Sequence, residues 1–138
     1  MNPGRYLGAV LAMWIVRTLL NFAFYGKYMA GKYTAIAAAH PGLLKEGVTG
    51  FIVTDLFTCI VFVLLLAKVS NALGGGAKAG ITLGLMIALL SPIVGALYSF
   101  FTFTFSTISS TCIEIVFQFV AHAIEGGVAG SIYKPKSA

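Results

Sequence analysis

Four apolar runs, each long enough to cross a lipid bilayer, dominate this chain and leave it few ways to fold. They extend over about 6–25, 48–69, 79–103 and 108–133. A hydrocarbon core of about 30 Å is spanned by about 20 predominantly apolar residues in a helix. In lipid every backbone N–H and C=O must be satisfied within the helix or within a closed barrel. A barrel would need many short alternating segments, which this sequence lacks, so the expected fold is all-α. The runs predict an up-and-down four-helix transmembrane bundle that makes one integral membrane domain of residues 1–138.

Composition agrees with that reading. Of 138 residues, 59% are hydrophobic and 9% charged, against about 25% charged in soluble domains. A soluble globule is excluded, and so is a disordered chain, which needs low hydrophobicity and high charge. The spans consume more than half of the length and leave no room for a soluble catalytic domain. A net charge of +5 would suggest nucleic acid in a soluble protein, but here it points to membrane orientation and anionic lipid, and no nucleic-acid partner is expected. Cys59 and Cys112 both fall in apolar runs, where a thiol acts as a small hydrophobe; two such residues form no zinc or redox motif.

The boundaries carry their own signals. The first run contains Arg17 and Asn21 and leaves through Phe22, Phe24 and Tyr25, which distinguishes it from a short cleavable leader. Gly74-Gly75-Gly76 stops the second run. Pro92 near the middle of the third predicts a kink, with Ser91 or a neighbour compensating the lost backbone bond. The hydroxyls between Thr104 and Ser110 suit a cap for the fourth. Between runs one and two, Gly26 to Gly47 holds Lys27, Tyr28, Lys32, Tyr33 and an Ala-rich stretch before Pro41, a pattern suited to a short helix at headgroup level. Arg5, Lys68, Lys78, Lys134 and Lys136 fall on the side of the termini, against Lys27, Lys32 and Lys45 on the other, so both termini are expected to be cytoplasmic.

Polar residues inside the runs are the informative minority, because a charge at the bilayer centre costs about 3 kcal/mol on insertion scales unless it is paired. They are Arg17, Asn21, Asp55, Glu114, Gln118, His122 and Glu125. Glu114, Gln118, His122 and Glu125 recur at helical spacing and form one stripe of the last helix. Counting about 1.5 Å per residue from the expected helix ends puts Asp55 roughly 10 Å, Glu114 about 9 Å and Arg17 about 12 Å deep. A cluster of Arg17, Asp55 and Glu114 is therefore expected, completed by Asn21 and Gln118. Glu125 reads as a boundary charge within reach of Arg5 or Lys78.

The cluster supports two readings: a neutralised ion pair that fixes helix register, or a proton or ion path. His122, with no second His at helical spacing, reads either as an interior residue bonded to Gln118 or Glu125, or as an axial ligand to haem or chlorophyll. No cofactor and no metal site is otherwise expected. HExxH, GxSxG, P-loop and zinc spacings are all missing, so no catalytic residue is expected and the chain reads as a non-enzyme. Gly80 with Gly84 and Gly126 with Gly130 form two GxxxG pairs, which allow close helix approach.

Several of these features together resemble a group of small bacterial four-helix membrane proteins of unknown function. They are Tyr25, Gly26 and Tyr33 at the helix-one exit; Gly76, Lys78, Gly80 and Gly84 at the start of the third helix; and Glu114 with Gly126, Gly130, Tyr133, Lys134 and Pro135 in the last. The resemblance implies a bacterial inner-membrane location and no activity. The leading expectation is an accessory or stabilising subunit that packs against other membrane subunits or against itself. A small proton, ion or solute transporter is the second, and pigment or haem binding through His122 the third.

Overall fold

The computed structural model describes residues 2–42 and 49–133. Val48, Lys45, Lys134, Pro135 and Lys136, which entered the expectations above, lie outside the described residues. Within them the chain is helical, without a strand, and four helices are long and apolar enough to cross a membrane. It is a multi-pass helical bundle.

Helix α1 (Pro3–Ala23) starts with two devices for orphan N–H groups: the Asn2 side chain accepts from Gly4 and Arg5, and Pro3 contributes no N–H of its own. It does not stop at the expected exit. A five-residue π-helical segment (Phe24–Tyr28) carries the span on, and α2 (Ala30–Ala39) follows. The wider turn leaves Phe24 stacked on Phe117, with ring centroids 3.9 Å apart. α3 (Thr49–Val69) runs into a turn where Gly74, Gly75 and Gly76 take φ of 89°, 71° and 54°, values that side-chain-bearing residues rarely adopt.

The third span, Gly76–Thr102, is interrupted at the proline and divides into two helical segments. α4 (Gly76–Leu90) ends at Ser91 (φ −128°, ψ −75°), and α5 (Pro92–Thr102) begins at the proline. Pro92 has no N–H to continue the ladder and its ring drives the preceding residue out of the helical region. Ser91 makes no capping bond with its side chain; its backbone bonds back to Ile87 and accepts from Gly95. α6 (Ile108–Ile132) opens with a capping box between Thr107 and Ser110, as the hydroxyl-rich approach suggested.

α6 is the hub, packed against α1, α4 and α5, while α3 sits mainly on α1. Lys32 meets Ser110, Tyr25 meets Glu114 and Gln118, Arg17 meets Glu125, and Gly8 faces Ile132. Each step toward the N-terminus along α1 therefore matches a step toward the C-terminus along α6. The two GxxxG pairs interlock: a Cβ on Gly80 would strike the Gly126 carbonyl, one on Gly84 the His122 carbonyl, and one on Gly130 the Gly76 carbonyl. Without a hydrophobic driving force between helices in lipid, such backbone-to-backbone contact is a principal source of packing energy. The apolar core, built from Val10, Met13, Phe62, Leu66, Leu83, Ala129 and their neighbours, fills the half of the bundle that holds Tyr6 and Tyr133.

Candidate functional site

The polar side chains gather along the α1–α6 seam in two groups. In the deeper one Arg17 donates from Nε to Asp55 Oδ1 at 2.7 Å and from Nη1 to Glu125 Oε2 at 2.8 Å. Asn21, one turn along α1, donates to Asp55 Oδ2 at 3.0 Å. One guanidinium thus ties three helices together, its rigid fork serving two carboxylates at once. These are charge-assisted bonds, and in a water-poor interior each is stronger than at a surface.

Of the expected cluster, Arg17, Asp55 and Asn21 do meet. Glu114 does not belong to it: Arg17 reaches Glu125 instead, and Glu125 is a fully buried core residue rather than a boundary charge. The depth count ended α1 at Tyr25. In the structure the π segment and α2 continue the chain past the first turns of α6, which sets Glu114 opposite Tyr25 and Glu125 opposite Arg17.

Glu114 and Gln118 form the second group around the Tyr25 hydroxyl, which donates to Glu114 Oε1 at 3.0 Å and accepts from Gln118 Nε2 at 2.8 Å. The Phe24 and Phe117 rings lie against Tyr25 edge-on. Nearer the loop, Lys32 Nζ on α2 donates to Ser110 Oγ at 3.0 Å. Tyr33, on α2 and outside the spans, has its phenol raised above the usual 10.0 by burial first and the Glu114 charge second. Tyr25 as the bridging residue was missed. The signal was present: Arg17, Asn21 and Tyr25 recur every four residues, the spacing of one helix face.

His122 sits between the two groups, with ring Nδ1 3.0 Å from the carbonyl of Gln118 and its own carbonyl against Gly84. An axial ligand to haem or chlorophyll would need an open face beside the ring, and this residue is 4% exposed. Among the described residues no cluster of His, Cys, Asp or Glu has the makings of a metal site. Cys59 is buried in the core and Cys112 is exposed; neither is paired. No protein-family model matches the chain, and no curated protein or solved structure matches it either.

Proposed function

We propose that this chain is a non-enzymatic, multi-pass membrane protein that serves as an accessory or stabilising subunit, packing against other membrane subunits of a larger complex or against further copies of itself. The single observation behind this reading is a shallow groove along the outer face of α4 and α6, lined by Ala77, Ile81, Ala123, Ile124, Gly127 and Ser131 among others. Lipid tails need no such shape, whereas a neighbouring helix gains van der Waals contact wherever small residues let it come close. The internal neutralisation of Arg17 by Asp55 and Glu125 is consistent with a building element whose polar residues hold helix register.

The reading includes an up-and-down bundle in a bacterial inner membrane, with both termini cytoplasmic and α2 lying at the opposite headgroup level. Support comes from the lysine and arginine distribution, from the Lys and Tyr content of the α2 region, and from the resemblance to small bacterial four-helix proteins. The test is gentle extraction from the native membrane followed by native mass spectrometry. Stoichiometric membrane partners or a defined homo-oligomer are expected, and Ala77→Trp, which fills the groove, is expected to weaken that association while the bundle stays folded. A lone monomer from the native membrane refutes the proposal.

A further inference from the structure

Glu125 combines two properties that the ion pair alone does not explain. It is 1% exposed, and only one of its carboxylate oxygens is engaged. Oε2 takes the Arg17 Nη1 bond at 2.8 Å, but Oε1 is buried without a hydrogen-bond partner among the described residues. Asp55, which shares the same guanidinium, has both oxygens engaged, by Arg17 and Asn21, and keeps some exposure.

Charge counting sharpens the contrast. Two ionised carboxylates and one guanidinium leave one negative charge without a counter-ion in a low-dielectric layer. Among the described residues the groups around Glu125 supply no second cation: α1 brings Arg17, α3 brings Asp55 and Cys59, and α6 brings His122, whose ring Nδ1 lies against the Gln118 carbonyl. α4 presents Gly80, Leu83 and Gly84 to this part of the bundle, and its Lys78 is exposed at the helix start. The surplus negative charge and the oxygen that lacks a donor coincide on Glu125.

We propose that Glu125 is a proton-exchange site within the membrane, loaded from the α2 side. The proton comes from water on that side and forms an Oε1–H bond. Arg17 then keeps Asp55 as its counter-ion, and the layer becomes neutral. Release returns the proton to the same water and restores the ionised carboxylate. The α2 side is assigned because Asn21, Tyr25, Gln118 and Glu114 place polar groups in that direction, whereas Val10, Met13, Phe62, Leu66 and Ala129 fill the core toward the termini. This activity goes beyond the packing role and does not depend on it.

The experiment is infrared spectroscopy of the full chain in phosphatidylethanolamine–phosphatidylglycerol vesicles, reading the carbonyl stretch of a protonated carboxyl group. Asp55 is the only aspartate, and the glutamates are Glu46, Glu114 and Glu125, so carboxyl-¹³C glutamate and carboxyl-¹³C aspartate separate the two residue types in the unmodified chain. The band is expected at neutral pH, shifted by the glutamate label alone, retained in Glu46→Gln and Glu114→Gln, lost completely in Glu125→Gln, and reduced as pH rises. If Glu125→Gln does not fold, the labels with the other two variants identify the residue by elimination. No protonated band, a band that follows the aspartate label, a band that survives Glu125→Gln, or a carboxylate band that responds to sodium instead of pH overturns the proposal.

Discussion

Replacing Gly80 by Ala adds one methyl group, and the structure places it where the facing backbone already is. The new Cβ would strike the Gly126 carbonyl, with its carbon 2.7 Å and the Gly130 nitrogen 3.0 Å away, against an ordinary contact of 3.4–4 Å. A backbone carbonyl cannot turn aside as a flexible side chain can, so α4 and α6 must part by about 1 Å. A gap of that size forfeits roughly a quarter to a half of each dispersion contact across it, and overpacking costs about 1–3 kcal/mol in general. Against this, Ala gains about 0.5–1 kcal/mol over Gly as a helix former. The net expectation is a loss of about 1 kcal/mol, roughly a 5-fold rise in the unfolded fraction. Gly95 in α5, whose Cβ would meet nothing within 4 Å, is the internal control: Gly95→Ala is expected to be neutral or to stabilise by about 0.4–1 kcal/mol. Both variants are compared by denaturing-detergent titration in mild micelles, read by the fluorescence of Trp14, the single tryptophan. If Gly80→Ala unfolds no earlier than Gly95→Ala, the close α4–α6 contact is wrong.

Arg17→Met leaves Glu125 without a partner and Asp55 with Asn21 alone and is expected to cost about 3–5 kcal/mol; the triple change with Asp55→Asn and Glu125→Gln is expected to recover most of it, as the same titration reports. Pro92→Ala restores the backbone donor that separates α4 from α5, and the distance between spin labels at positions 77 and 102 is expected to lengthen toward that of a straight helix at about 1.5 Å per residue. An unchanged distance means that something other than the proline sets the break. Tyr33, with its phenol raised by burial, is expected to ionise later than free tyrosine in an absorbance titration. Its contribution to stability is present below about pH 10 and is lost as pH rises through the folded value. Tyr33→Phe removes that late step, and a titration that Tyr33→Phe leaves unaltered contradicts the buried placement.

How much of this arrangement was legible beforehand differs from residue to residue. The hydroxyls between Thr104 and Ser110 announced a helix start, because capping needs only a hydroxyl three residues from the N–H it satisfies, and the structure gives that role to Thr107. Pro92 announced an interruption for an equally local reason, though not that the helix would be fully split. The Arg17, Asn21 and Asp55 contact followed from depth, because α1 and α3 lie side by side and each residue's distance from its helix end is fixed by the rise of the helix. Glu125 failed the same test: its partner depends on how far α6 slides along α1, and that offset is set by the π segment at Phe24–Tyr28 and by α2 resting on Ser110. Tyr25 was visible as a position on the α1 stripe, but its role required knowing that Glu114 and Gln118 stand across from it.

The sequence by itself determined the all-helical class and the presence of four apolar spans, because a bilayer offers backbone groups no partner outside the helix and so turns apolar run length into structure. Its glycine spacing also announced close packing. The tertiary structure alone decided that Gly80 and Gly84 oppose Gly126 and His122, and that one guanidinium serves Asp55 and Glu125 while Glu114 turns to a tyrosine. Those choices depend on relative sliding and rotation of helices, which are settled by how all the side chains fit at once and are written in no single segment.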